Sequence, residues 1–185
     1  MDKILGNLHL VLVIGLVLAI GIMFSPFYAP VTVALGVFQW LHVFFGITWI
    51  GLLYYFNFVQ IPTMPTIPAE LKPGVSKFIA PKALFFFRWG AAFTVLTGLI
   101  LMHLYDEDKA LIFEAGKELI GLGMWLAIIM AFNVWVIIWP NQKKALGLVP
   151  AADDVKAKAA KMAMYFSRIN TLLSIPMLLC MTNFR

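Results

Sequence analysis

Cysteine is almost absent from this sequence: the single one, Cys180, lies in an apolar run near the C-terminus and has no partner for an intramolecular disulfide. A disulfide-stapled secreted module is therefore excluded, and Cys180 is assigned a packing role. Charge is scarce as well, at 12% of residues, where a soluble domain carries about 25%. Motifs for common chemistries are also missing. There is no glycine-rich phosphate loop, no Gly-x-Gly-x-x-Gly turn, no His-Glu-x-x-His helix and no triad spacing, which removes the support for phosphoryl transfer and hydrolysis. Without a broken-helix pair or an inverted repeat, a channel or transporter is not favoured either. No catalytic residue can be assigned from the sequence.

What is present is apolar: 62% hydrophobic and 15% aromatic residues, with a mean hydropathy of +0.91. Most of such a chain belongs in the lipid bilayer. The expected fold is all-α, a polytopic transmembrane helix bundle forming one domain over residues 1–185, with about five spans of roughly 20 residues each and a short interfacial helix. The net charge of +5 is better explained by topology than by a polyanion patch, so no nucleic-acid partner is expected.

The expected spans are Leu8 to Phe24, Val33 to Val59, Leu84 to Leu104, Ile120 to Trp139 and Tyr165 to Met181. The first is longer than the roughly 7 to 15 apolar residues of a signal peptide, and is expected to remain as a span. Between the second and third, Pro62, Pro65, Pro68, Pro73 and Pro81 are expected to break helices and hold Ile61 to Pro81 outside the hydrocarbon, with room for a short surface helix near Val75. Lys156, Lys158 and Lys161, spaced by alanines, suggest an interfacial helix over Ala151 to Ala163.

Cationic loops are retained in the cytoplasm. One face collects Lys3, Lys72, Lys77, Lys82, Lys143, Lys144, Lys156, Lys158 and Lys161, and the other only Lys109, Lys117 and Arg185. The expectation is a bacterial inner-membrane protein with its N-terminus cytoplasmic, its C-terminus periplasmic, and the Asp106 to Asp108 turn on the outer side.

Ionisable groups inside a bilayer cost several kcal/mol unless partnered, so each is a functional candidate. His42 in the second span and His103 at the end of the third fall at roughly similar depth near the outer face. Two imidazoles from antiparallel helices can clamp a haem iron, or another metal, axially. The alternative is that His103 snorkels beside Asp106 while His42 hydrogen-bonds a carbonyl. Gly90, Thr94 and Gly98 recur every fourth residue, with Ala91 and Thr97 beside them, and Gly123, Ala127 and Ala131 do the same further on. Such faces suit a flat macrocycle, and they equally suit close helix packing. Met102 beside His103 raises copper, whose cuprous ion takes thioether and imidazole ligands, although the ten methionines show no Met-x-x-Met clustering. His9 is expected at the interface. Arg88 and Arg168 lie where a span begins on the inner side, where they can bind a carboxylate or a lipid phosphate. Trp49 and Trp135 are deeper than the other tryptophans, so each indole N–H needs a partner; Asn57, Asn133 and Asn170 are expected to be polar glue between helices.

The run from His42 through Gly46, Trp49 and Gly51 to Asn57 and Gln60, with Arg88-Trp89-Gly90-Ala91 and the run from Asn133 to Lys144, resembles the membrane domain of bacterial urate oxidases. The likeness spans about Trp40 to Asn183. The opening His-x-x-x-Gly-x-x-Trp-x-Gly is similar, more loosely, to small membrane proteins of the protoporphyrinogen oxidase and copper-resistance type, which implies that His42 binds haem or a metal. By that resemblance His42 is expected to hold a b-type haem; Gly46 and Trp49 of the same run, with the small residues Gly90, Thr94 and Gly98 of the third span, are the candidates to surround it. His103 enters as second ligand by depth alone. Family members commonly continue into a cytochrome c domain, whereas no Cys-x-x-Cys-His follows the last span here. The expected protein is therefore an electron-transfer or accessory subunit that works with a periplasmic cytochrome or a larger membrane complex. A haem-free structural subunit is the alternative.

Overall fold

The computed structural model describes residues 2–26, 28 and 32–183. The described residues are 83% helical, with no strand among them. It divides into two compact units, residues 1–36 and 37–185.

The first unit holds α1 (Asp2–Leu5) and α2 (Leu8–Met23). Asn7 caps α2 by accepting a hydrogen bond from the Leu10 amide at 3.2 Å, which satisfies one of the free amides at a helix start. No residue of α2 is buried. Its 16 residues extend about 24 Å, less than the roughly 30 Å of a hydrocarbon core.

Four further helices are long and apolar enough to cross a membrane: α3 (Val33–Thr63), α4 (Lys72–Leu104), α5 (Glu118–Ala145) and α6 (Asp153–Asn183). The protein is a membrane-type helix bundle. Of the five expected stretches, four meet this criterion and the first forms the shorter α2. The separate interfacial helix expected over Ala151 to Ala163 does not occur: from Asp153 that stretch runs unbroken into the last span as α6, because alanine and lysine favour helix and no glycine or proline intervenes.

The prolines also behave differently from the expectation. Pro62 lies inside α3, and Pro73 and Pro81 lie inside α4, which leaves Pro65 and Pro68 in the connection. Three wide, π-type segments explain how. Tyr55–Gln60, Val75–Ile79 and Asn133–Ile138 each end two residues before a proline, respectively Pro62, Pro81 and Pro140. In each, the amide just before the proline bonds five residues back, from Ile61 to Phe56, Ala80 to Val75 and Trp139 to Val134. The extra residue per turn moves away the carbonyl that the pyrrolidine ring would strike, so the helix widens instead of breaking. All three segments lie at the lysine-rich end of the bundle, where α3 and α5 finish and α4 begins.

The core of the second unit is Trp49, Leu53, Phe87, Ala91, Met130, Val134 and Ala163, each at most 1% exposed. Phe44, Ile47, Phe86, Leu96, Phe132, Leu172 and Ile175 are exposed, as lipid-facing residues should be. The last helix is polar on its inner side: Ser167, Asn170 and Ser174 are buried at helical spacing. Cys180 is buried, as its packing role requires, and a Cβ on Gly123 would lie 2.9 Å from its Cβ.

Candidate functional site

His42 lies on the side of α3 that meets α4. Its Nδ1 is 3.0 Å from the Thr94 carbonyl oxygen and 3.2 Å from Thr97 Oγ1. A carbonyl only accepts, so Nδ1 carries the proton and donates it. Thr97 sends its own hydroxyl proton to the Phe93 carbonyl at 2.7 Å, which leaves its oxygen free to accept from His42. In the neutral ring Nε2 therefore holds the lone pair, and a carbonyl on Nδ1–H is the usual way a protein fixes the tautomer and ring orientation of a metal-binding histidine.

The sequence-selected residues meet in antiparallel order. A Cβ on Gly98 would lie 3.0 Å from His42 Cε1, one on Gly46 would lie 4.0 Å from Thr94 Cγ2, and one on Gly90 would lie 3.2 Å from the Trp49 amide nitrogen. His42, Gly46 and Trp49 thus face Gly98, Thr94 and Gly90. The small residues of α4 are covered by α3 itself, with His42 and Trp49 laid directly on the two glycines. At these two glycines the helices are in direct contact.

The Trp49 indole is 0% exposed, and its Nε1 has no acceptor. An orphaned buried donor costs about 1–3 kcal/mol, and a bound group that brings an acceptor would recover that energy. With Nε2 unprotonated, His42 can offer a cofactor a single imidazole bond.

His103 is not brought to this site. Its side chain is 81% exposed and lies 3.5 Å from the Asp108 carboxylate. Five residues past Gly98, it is about 140° round the helix at ~100° per residue, so similar depth does not bring the two rings face to face. Among the described residues no group of three His, Cys, Asp or Glu is placed to hold a metal. The turn that follows is tied by Lys109 to Glu114 at 2.9 Å and by Lys117 to Glu107 at 3.3 Å, and Trp125 donates to the Leu111 carbonyl at 2.9 Å.

Deeper in the bundle the asparagines act as glue. Asn133 donates to Asn170 at 2.8 Å, and Asn170 donates to the Met130 carbonyl at 2.9 Å. Asn57 donates to Ser167 at 2.8 Å and to the Leu53 carbonyl at 2.9 Å. Ser174 gives its proton to the Thr171 carbonyl at 2.7 Å, so Tyr54 is the donor in the 3.0 Å contact with Ser174. Asn170→Ala removes both bonds made by a fully buried side chain and strands Asn133, for an expected loss of about 1–3 kcal/mol. Thermal unfolding in detergent checks this, and the exposed Thr182→Ala should melt with the wild type.

Two stretches distant in sequence also meet. Trp89 packs edge-on against Trp135 at 5.5 Å, and Arg88 lies over the Trp139 ring at 3.4 Å. Arg88 and Trp139 belong to separate runs of the sequence, and only the α4–α5 packing pairs them. Arg168 is exposed and His9 is exposed on α2.

Residues 108–184 match the family model described as Urate oxidase N-terminal. The matched stretch is α5, α6 and the turn before them; it includes Asn133 to Lys144 and excludes His42. No curated protein and no solved structure matches the chain.

Proposed function

We propose, from the match of residues 108–184 to the Urate oxidase N-terminal family model, that this protein is a membrane-embedded redox subunit. It holds a b-type haem through His42 and exchanges electrons with a periplasmic cytochrome or a larger membrane complex of a urate-oxidase-like or related oxidoreductase system. The observation that carries the reading is the hydrogen bond from His42 Nδ1 to the Thr94 carbonyl. It leaves Nε2 unprotonated and holds the ring in place.

Haem would supply a one-electron couple whose potential is set by axial ligation, hydrogen bonding and burial. The chain's part is to position and insulate. Thr94 and Thr97 orient the imidazole and raise its basicity, and the Trp49 N–H offers a donor to a bound acceptor. His103, exposed and beside Asp108, is not assigned as the second axial ligand. The expected orientation of the four long helices stands on the lysine count: the turns after α3 and after α5 are cytoplasmic, and the C-terminus is periplasmic. The membrane is then the bacterial inner membrane.

The test of the ligand set is a reduced-minus-oxidised spectrum of the wild type and of His103→Ala, each purified in mild detergent. Unchanged band positions and intensity in His103→Ala are expected. A shifted or lost spectrum would restore His103 as a ligand. A haem-free structural subunit is the second reading, favoured by the direct covering of Gly90 and Gly98 by α3, which leaves the small-residue face fully used in helix packing.

A further inference from the structure

Trp139 carries two cations and no anion. The Arg88 guanidinium carbon lies 3.4 Å from the indole centroid, and Lys143 Nζ lies 5.7 Å from the same centroid. Arg88 Nε is buried without an acceptor. Among the described residues, no carboxylate lies within ion-pair distance of either cation. Asp153 and Asp154, on the same end of the bundle, are engaged by Lys156 and Lys158, and the other paired carboxylates belong to the 106–114 turn at the opposite end. An indole face attracts a cation, but it carries no net charge. Two positive groups converging on one ring at the edge of the hydrocarbon therefore leave an unsatisfied demand for an anion.

We infer that Arg88, Lys143 and Trp139 form a phosphate site that takes the headgroup of an anionic phospholipid from the leaflet at the lysine-rich end of the bundle. The guanidinium presents a planar fork of donors suited to two phosphate oxygens, and the ammonium supplies a point charge beside it. The lipid source is argued from what borders the pair. Phe85, Phe86 and Trp89, within three residues of Arg88 on α4, are exposed apolar surface that acyl chains can cover. The cations themselves lie where the apolar stretches of α4 and α5 meet the lysine-rich turns, at headgroup level. Free phosphate offers the same chemistry without the acyl contacts.

The experiment is native mass spectrometry of the full chain released from nanodiscs of phosphatidylglycerol or of phosphatidylcholine, with inorganic phosphate added in a third arm. Retained phosphatidylglycerol, little phosphatidylcholine, and no displacement by millimolar phosphate are expected. Loss of one cation should cut retention roughly fivefold, so Arg88→Gln and Lys143→Gln each weaken it and Arg88→Lys restores part. If Arg88→Gln fails to fold, Lys143→Gln, altered at a half-exposed helix end, carries the test. Equal retention of the two lipids, or undiminished phosphatidylglycerol in a folded Lys143→Gln protein, overturns the site. Displacement by phosphate alone overturns the lipid as its occupant.

Discussion

Replacing His42 with alanine is expected to abolish the b-type haem spectrum while leaving a folded bundle. The imidazole Nδ1 is anchored to the neighbouring helix, which leaves Nε2 free. The Thr94 carbonyl lies inside α4, where the amide four residues on still bonds it, so the backbone is not stranded. Haem content should fall to background and the melting temperature should change little. Thr97→Val gives a graded counterpart. It deletes an acceptor on the ring without touching the ligand, and the expected loss is about 10- to 100-fold in haem affinity. Haem titration of the purified variants, with unfolding followed in parallel, separates ligand loss from misfolding. A full His42→Ala spectrum at wild-type occupancy would contradict the assignment.

The largest stability effect is expected at Gly121. A Cβ there would overlap the carbonyl oxygen of Ala110 and lie 3.0 Å from its carbonyl carbon. These are backbone atoms of a short 3₁₀ turn, Asp108–Ile112, whose Ala110 is 0% exposed. The turn is pinned on either side by the Trp125 bond to Leu111 and the Lys109 to Glu114 pair. No flexible side chain can yield, so the turn must move off α5. Overpacking of this kind costs about 1–3 kcal/mol and occasionally more, and Gly121→Ala is placed at or above the top of that range. Gly51 is the control. Nothing lies within 4 Å of its Cβ position in α3, and Gly51→Ala should be neutral or stabilising by up to about 1 kcal/mol through helix propensity. Thermal unfolding of the pair in one detergent reads the contrast; equal melting of Gly121→Ala and wild type would mean that the turn does not seat on α5.

The apolar stretches were legible in the sequence because a bilayer demands length and hydropathy, and both are local properties. The row Gly90, Thr94, Gly98 was legible as a close-contact face, but not what would cover it; its partner, the row His42, Gly46, Trp49, was visible only as a separate motif. The helix ends were misjudged for a physical reason. Proline was taken to end a helix, whereas Pro62, Pro81 and Pro140 each follow a widened turn that admits the ring, and sequence spacing does not announce an i to i+5 bond. His103 shows a second limit. Depth along a helix can be counted from the interface, and by depth His103 and His42 agree, but rotation about the axis carries His103 out to Asp108. The pairing of Arg88 with Trp139 needed the relative rotation and register of two helices, which neither motif holds alone.

The most direct measurement of the central claim is a pyridine haemochrome assay on the wild-type chain purified in mild detergent, with folding verified on the same sample. The account predicts b-type haem at close to one per chain. Folded protein that contains no haem, and takes none up when haem is supplied, would contradict it.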